Sequence, residues 1–394
     1  MHFFRDPVET RNNAWYNDEN YDREEALIME TATPQEYEVL LYGDLSPSAA
    51  ARYLLEEHLV LRTFPQVLRE LYPADDVQFR LTTAFSADAG EKASSAARKV
   101  RNWLSGKNAP TSREDVFRIA FALDLDEDAC GELLGFCTEY GIHYRDGREL
   151  IYSWFLRMGY GYADAREFFD SMPSCPRQLE PPPEDGPTRL TQSLQNAFLT
   201  VLTMEELRTA YEERLEQFGA LHARAFRYFR SYMDQLLHPT SWLEEDETVY
   251  SLETVMETYF SLHMPSGKDR SGYTVTQKLL KQSWPNATVL KDIYAYRKDV
   301  PRKLLLLLYV ITENCVDRVY SEFDEGYIDA RDRIEDHWLT MNAILSDCGM
   351  PLLDLRNASD WLMMYAVTAD EESMSERLEQ VIDQIFSDSA NVDL

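Results

Sequence analysis

Basic side chains cluster in one stretch of an otherwise acidic chain. Residues 92–118 carry seven Lys or Arg and two acidic side chains, whereas the 394-residue chain has 39 basic and 69 acidic residues and a net charge of −30. Contact with phosphate groups needs such clustering, because the sequence-independent affinity for nucleic acid is electrostatic. The basic stretch therefore predicts a nucleic-acid contact surface. The alternative is a solvated helix face with no partner.

Amphipathic helices would have to position these cations. Ala93, Ala96, Val100 and Leu104 recur at helical spacing and form one apolar stripe, with the basic residues on the other faces. Gly106 tolerates positive φ and would end that helix.

Two further helices are predicted downstream. Ser112 would start the first of them, with Asp115 as its capping partner, and Asp126 would cap the second. These helices follow the basic helix closely enough to pack against it.

The order of these residues is typical of one DNA-binding family. The sequence places Val100, Trp103-Leu104, Gly106-Lys107, Pro110, Ser112 and Ala122-Leu123-Asp124-Leu125 in succession. Over roughly 35 residues the chain thus resembles the helix-turn-helix domains of the Cro/C1-repressor (XRE-like) family. The resemblance implies that the helix ending at Trp103 enters the major groove of DNA. It assigns DNA contacts to Lys92, Ser95, Arg98, Lys99, Arg101, Asn102, Lys107 and Arg113.

The C-terminal half repeats parts of this arrangement. When Arg302 is aligned with Arg113, a helix containing Ile293 matches the helix ending at Trp103, with one residue of gap in the loop. Residues 145–152 also align without gaps with residues 356–363. These matches predict a diverged internal duplication; the alternative is that two all-α halves share generic Arg-capped helices.

The second half is basic at the matching place. Residues 265–303 carry nine basic and three acidic side chains. We therefore expect a second DNA-binding island, comprising Lys278, Lys281, Lys291, Arg297, Lys298, Arg302 and Lys303. Two such modules in one chain could read two half-sites.

Helical patterns dominate the chain, and no convincing period-2 strand pattern occurs, so the predicted fold class is all-α. We expect residues 1–45 to form an acidic arm, 46–172 a helix-turn-helix-like domain and 173–190 a Pro-rich linker, within a stretch that holds six of the 17 prolines. Residues 191–239 are expected to form a helical connector. Residues 240–394 are expected to form a C-terminal helical domain that would contain the second helix-turn-helix-like copy.

Signatures of other functions are missing from the sequence. The seven histidines are scattered, the five cysteines include no C-x-x-C, and no nucleotide-binding or hydrolase motif is present. We expect neither an enzyme nor a cofactor or metal; a pocket with convergent polar groups would revive the enzyme hypothesis. The longest apolar run, Leu304 to Ile311, is too short to span a membrane, and no secretory signal is visible, so a cytoplasmic location is predicted.

The leading hypothesis is a sequence-specific DNA-binding protein, a bacterial transcriptional regulator whose partner is double-stranded DNA. The alternative is an acidic protein-interaction adaptor or DNA mimic that uses the same helices only as a scaffold. Aromatic residues of the connector, such as Phe226, Phe229 and Tyr232, would pack in a core or form a homodimer surface.

Overall fold

A computed structural model of the protein describes residues 39–40, 45–56, 62–87, 93–138, 140–174, 190–219, 221–238, 249–265, 272–282, 284–313, 330–369 and 372–387. These residues form 18 α-helices and no β-strand, which confirms the predicted all-α class. Nearly all of the predicted acidic arm and Pro-rich linker, and Lys92, lie outside the described residues.

The helices have the following bounds: α1 Pro47–Leu55, α2 Phe64–Leu71, α3 Val77–Ser86, α4 Ala93–Leu104, α5 Arg113–Ala122, α6 Glu127–Thr138, α7 Gly147–Arg157, α8 Tyr162–Asp170, α9 Leu190–Leu199, α10 Met204–Glu213, α11 Ala223–Leu237, α12 Leu252–Val255, α13 Val275–Lys281, α14 Ala287–Tyr294, α15 Arg302–Glu313, α16 Ala330–Asp347, α17 Ala358–Ala366 and α18 Met374–Ser387. A 3₁₀ turn, Leu215–Gln217, follows α10, and a π-helical turn, Met256–Phe260, continues α12.

Helix starts follow the capping signals of the sequence. The Ser46 hydroxyl accepts a hydrogen bond from the Ala49 N–H at 3.3 Å, and Pro47 occupies the first turn of α1. Asp126 accepts one from the Ala129 N–H at 2.8 Å and so caps α6. Free backbone N–H groups at a helix start need such acceptors.

The start of α5 differs from the expected capping pair. Ser112 does precede α5, but its side chain makes no capping hydrogen bond. Asp115 instead pairs with Lys99 at 2.9 Å, so its carboxylate ties α5 to α4. At the end of α4, Gly106 has φ of 71°, which agrees with the predicted helix stop.

Two hydrophobic cores divide the molecule. The first core contains buried residues from Phe64 to Phe218, contributed by α2–α10. The second contains buried residues of α1, including Ala50, Ala51 and Leu54, together with residues of α11–α18. The helix α1 packs against α18, from the opposite end of the sequence.

This division differs from the domains expected from sequence. The residues 46–172 do not share one core, because the buried face of α1 has its apolar partners in the second core. The connector 191–239 is also split: α9 and α10 belong to the first core and α11 to the second. Its aromatic residues Phe226 and Phe229 are buried in the second core, so they present no dimer surface.

The residues aligned between the two halves make matching ion pairs. In the first half, Arg113 Nε and Nη2 donate to the two Glu149 carboxylate oxygens at 2.5 and 2.6 Å. In the second, Arg302 Nη1 and Nη2 donate to the two Asp360 oxygens at 2.7 and 2.8 Å. Each arginine is the first residue of its helix, α5 or α15.

The backbone contacts of the two arginines match as well. Arg113 also donates to the carbonyls of Tyr140 and Gly141. Arg302 donates to the carbonyls of Pro351 and Leu352. These two residues align with Tyr140 and Gly141 when the gap-free alignment of residues 145–152 with 356–363 is extended towards the N-terminus. The helices α7 and α17 that carry the two acids are capped by Asp146 and Asn357, again aligned with each other.

Candidate nucleic-acid interface

Aromatic packing fixes the orientation of α4. Its buried residues Ala96, Val100 and Trp103 face the first core. The Trp103 ring meets Phe85 of α3 edge-on at 5.2 Å between centroids and Phe64 of α2 at 6.4 Å. Because these rings hold one face of α4, the opposite face is turned to solvent.

The outward face of α4 carries two unpartnered arginines. Arg98 and Arg101 are exposed, and in the part of the chain that the structure describes neither has a hydrogen-bond or ion-pair partner. Ser95 and Asn102 are half-buried on the same helix, and Lys107 is exposed in the loop that follows. These residues are placed where a DNA backbone or groove could reach them.

Lys99, by contrast, is held within the protein. Its Nζ lies 2.9 Å from an Asp115 carboxylate oxygen, 5.2 Å from the centre of the Phe85 ring and 5.1 Å from that of Trp103. A cation over two aromatic faces and beside a carboxylate is already well satisfied. Lys99 therefore links α3, α4 and α5 rather than extending outward as predicted.

The prediction that Arg113 contacts DNA is wrong. Its guanidinium donates to Glu149, to the Thr138 hydroxyl and to two backbone carbonyls, and its side chain is only 23% exposed. A guanidinium has five N–H donors, and this set of acceptors uses them. Arg113 is thus a half-buried structural residue that ties the start of α5 to α7.

Most of the second predicted island is also internal. Arg302, Lys303 and Lys281 are buried, and Lys303 Nζ donates to carbonyls at the end of α13, including Leu279 at 3.4 Å. Such a lysine neutralises the negative end of a helix. The expectation that these three residues face DNA is therefore wrong.

The remaining cations of that island lie at the surface. Lys291 pairs with Glu253 at 2.6 Å and Arg297 with Asp292 at 3.3 Å. Lys298 is exposed and Lys278 half-buried, and the described residues provide neither with a partner. Among the described cations of that island, no two unpartnered ones lie on the same helix.

The helix α3 places exposed side chains beside α4 that the family resemblance does not assign to the interface. Gln78 and Thr83 are exposed, and Phe79 is 74% exposed although it is aromatic. The helix packs directly against α4. The apolar spacing of Val77, Leu81 and Phe85, at i, i+4 and i+8, could have predicted this helix.

A junction of titratable groups joins the two cores away from α4. Asp299 accepts a hydrogen bond from the backbone N–H of His222 at 2.7 Å and lies 3.5 Å from Arg145. Burial, together with nearby arginine charges, lowers the pKa of His143 to about 2 and that of His222 to about 3. Both imidazoles are therefore neutral near pH 7.

Other site types find no support among the described residues. No three His, Cys, Asp or Glu side chains there form a group that could hold a metal ion. None of the described helices combines the length and the apolar character that a membrane crossing requires. Comparison with models of protein families, with curated proteins and with solved structures finds no match to this chain.

Proposed function

We propose that the protein binds double-stranded DNA through the outward face of α4 and acts as a transcriptional regulator. The observation that carries the proposal is that Arg98 and Arg101, on one helix of a chain with net charge −30, are exposed and have no partner among the described residues. Lys107 would add a backbone contact beside them. The net acidity of the chain would disfavour contacts of DNA with most other surfaces.

The arrangement of α2–α6 supports this proposal. The helix α3 packs against α4 and α5, and α2 packs against α4 and α6. Five helices in this order, with α4 in the place of a recognition helix, agree with the resemblance to Cro/C1-type domains. The exposed α3 side chains Gln78 and Thr83 would then lie beside the phosphate backbone.

We also propose that the two halves arose by duplication, and that only the first half contacts DNA. Arg113 with Glu149 and Arg302 with Asp360 make matching networks at aligned positions, which supports a common origin. The helix α13 packs against α1 and α17, whereas the corresponding α3 packs against α4 and α5. One recognition helix per chain predicts one half-site per chain, in place of the two expected from sequence.

The first experiment selects random duplex fragments with the purified protein, sequences those retained and measures affinity for the enriched motif at several salt concentrations. We expect one enriched motif. Replacing Arg98 and Arg101 with alanine should lower the slope of log K against log salt by about 2, since each phosphate contact contributes about 0.9. Lys99 is left intact in this variant because it holds Asp115.

Charge reversal separates this function from the alternative. R98E/R101E should abolish DNA binding, whereas R52E/R227E, which reverses two exposed arginines on α1 and α11, should leave it unchanged. Both variants alter the net charge equally, so a general electrostatic effect would weaken both. Absence of an enriched motif, or equal loss in both variants, would contradict the proposal and favour a protein-interaction adaptor.

A further inference from the structure

A cleft of about 1010 Å³ lies between the two cores. The α4–α5 loop and α6 form its wall on the first core, and α13 with the turn before α17 forms its wall on the second. A volume of this size matches the clefts that hold drug-sized ligands, which often lie between domains.

Apolar side chains from both cores line the cleft. Phe64 and Trp103 contribute from the first core, and Leu279, Leu306 and Met363 from the second. The α6 residue Gly131 also faces it, and a Cβ built there would have no heavy atom within 4 Å. The interior therefore offers room and an apolar surface for the body of a ligand.

The net charge of the side chains that line the cleft is opposite in sign to the net charge of the chain. The described residues that line it include seven Lys or Arg and four Asp or Glu. Each carboxylate already has a cationic partner in the wall: Lys99 for Asp115, Arg62 for Glu132, Arg356 for Asp354 and Arg302 for Asp360. The acidic groups are thus neutralised in place.

Three lysines remain after these pairs; Lys303 donates to backbone carbonyls, which leaves one lysine on each wall. Lys107 comes from the first core and Lys278 from the second, and neither has a partner among the described residues. Arg62, also in the wall, has a buried Nε–H without an acceptor within the described part of the chain. These donors favour an anion.

We infer that the cleft binds an amphipathic anion, with an apolar body against the aromatic and aliphatic wall and a carboxylate or phosphate group between Lys107 and Lys278. Binding fits the cleft better than catalysis, because its carboxylates are held in ion pairs and burial raises the pKa of the Cys137 thiol. No described lining residue is a histidine. A free general base is therefore missing from the described wall.

Such a ligand would also contact the DNA-binding element. Trp103 lies in the last turn of α4, and the loop with Lys107 follows that helix, so one wall of the cleft is the end of the helix that presents Arg98 and Arg101. A ligand that shifts this loop would change the DNA affinity. This second step rests on the proposed function; the binding of an anion does not.

The test uses dodecanoate as the probe, with dodecanol and dodecyltrimethylammonium as neutral and cationic controls of the same chain length, all below micelle formation. Isothermal titration calorimetry on the full chain should show binding of dodecanoate and at least tenfold weaker binding of the other two. Equal binding of the three probes, or no binding of dodecanoate, would overturn the inference.

Four variants locate the binding. K278A should weaken dodecanoate binding about tenfold or more, because it removes one charge-assisted contact. G131F should block the cleft, while its matched control G131A should bind normally, as should R227A. A melting curve confirms that each variant is folded. Unchanged binding in both K278A and G131F would place the anion elsewhere and overturn the inference.

The DNA step is measured separately. Dodecanoate should change the DNA affinity of the wild type but not of K278A, whose α4 is intact. If dodecanoate binds in the cleft and DNA binding fails altogether, the proposed function is wrong while the ligand site stands. If DNA binds and dodecanoate does not, the ligand site is wrong while the proposed function stands.

Discussion

Arg302 is the more deeply buried of the two matching arginines. Its side chain is 7% exposed and that of Asp360 is 2% exposed, against 23% and 10% for Arg113 and Glu149. Removing one partner of a buried pair leaves an uncompensated charge, which costs far more than the pair itself contributes. The loss of Arg302 should therefore lower the stability of the protein more than the loss of Arg113.

We expect R302A to lower the free energy of unfolding by about 3–5 kcal/mol, and R113A to lower it by less. R302K should rescue little, because an ammonium has no planar fork to span Asp360 and the carbonyls of Pro351 and Leu352. Urea denaturation followed by circular dichroism gives both values. A loss in R302A below about 1 kcal/mol would show that the pair is dispensable.

The neutral imidazoles at the junction predict a pH dependence of stability. The folded-state pKa values of His143 and His222, about 2 and about 3, lie below the ordinary value of 6.5, so below pH 6.5 the unfolded chain binds more protons than the folded protein. Their contribution therefore destabilises the protein as the pH falls from 6.5 towards 3. At neutral pH it vanishes.

Replacing both histidines with glutamine should reduce the slope of unfolding free energy against pH by about 2–3 kcal/mol per pH unit between pH 6 and 4.5. Urea titrations at several pH values measure the slope, which is independent of any uniform loss of stability in the variant. An H238Q control, at an exposed histidine, should keep the wild-type slope. Identical slopes in the wild type, the double glutamine variant and H238Q would show that His143 and His222 do not cause the pH dependence.

At the scale of the elements, two glycines of α6 should respond oppositely to the same change. A Cβ at Gly131 meets open space, whereas a Cβ at Gly135 lies 3.2 Å from Pro351 Cγ. Pro351 is held in place, since its carbonyl accepts a hydrogen bond from Arg302 Nε at 2.8 Å. The helix thus approaches the second core closely at one glycine only.

We expect G131A to raise the free energy of unfolding by about 1 kcal/mol through helix propensity, and G135A to lower it by about 1–2 kcal/mol through overpacking. Thermal melts of the two variants and the wild type show whether each substitution stabilises or destabilises the protein. A rise in both would show that the α6 contact with Pro351 is loose.

Local features of the elements were predictable from sequence. Capping residues such as Ser46 and Asp126, and the apolar stripe of α4, fix helices through contacts within a few residues. The burial of Arg113 and Arg302 was not predictable, because it depends on acids that lie 36 and 58 positions further along the chain. Charge density alone does not distinguish a cation that faces solvent from one that faces a buried carboxylate.

At the scale of the whole molecule, basic side chains are concentrated at two places in an acidic protein. The chain is strongly acidic, yet the cleft between the cores is lined by more cations than anions, and the outward face of α4 has free arginines. Both candidate sites therefore lie where the local charge opposes the global one. Anionic ligands would be attracted to these two places in preference to the acidic parts of the surface.

The packing of α1 against α18 has a consequence for the order in which the molecule is completed during synthesis. The first core is contiguous in sequence and has all of its helices once residue 218 has emerged from the ribosome. The apolar face of α1, with Ala50 and Leu54, emerges before the first core is complete. It has no α18 to pack against until that helix is synthesised, on the order of tens of seconds later at typical elongation rates. The second core is thus completed by α18, the last of the described helices, after the first core has had time to fold.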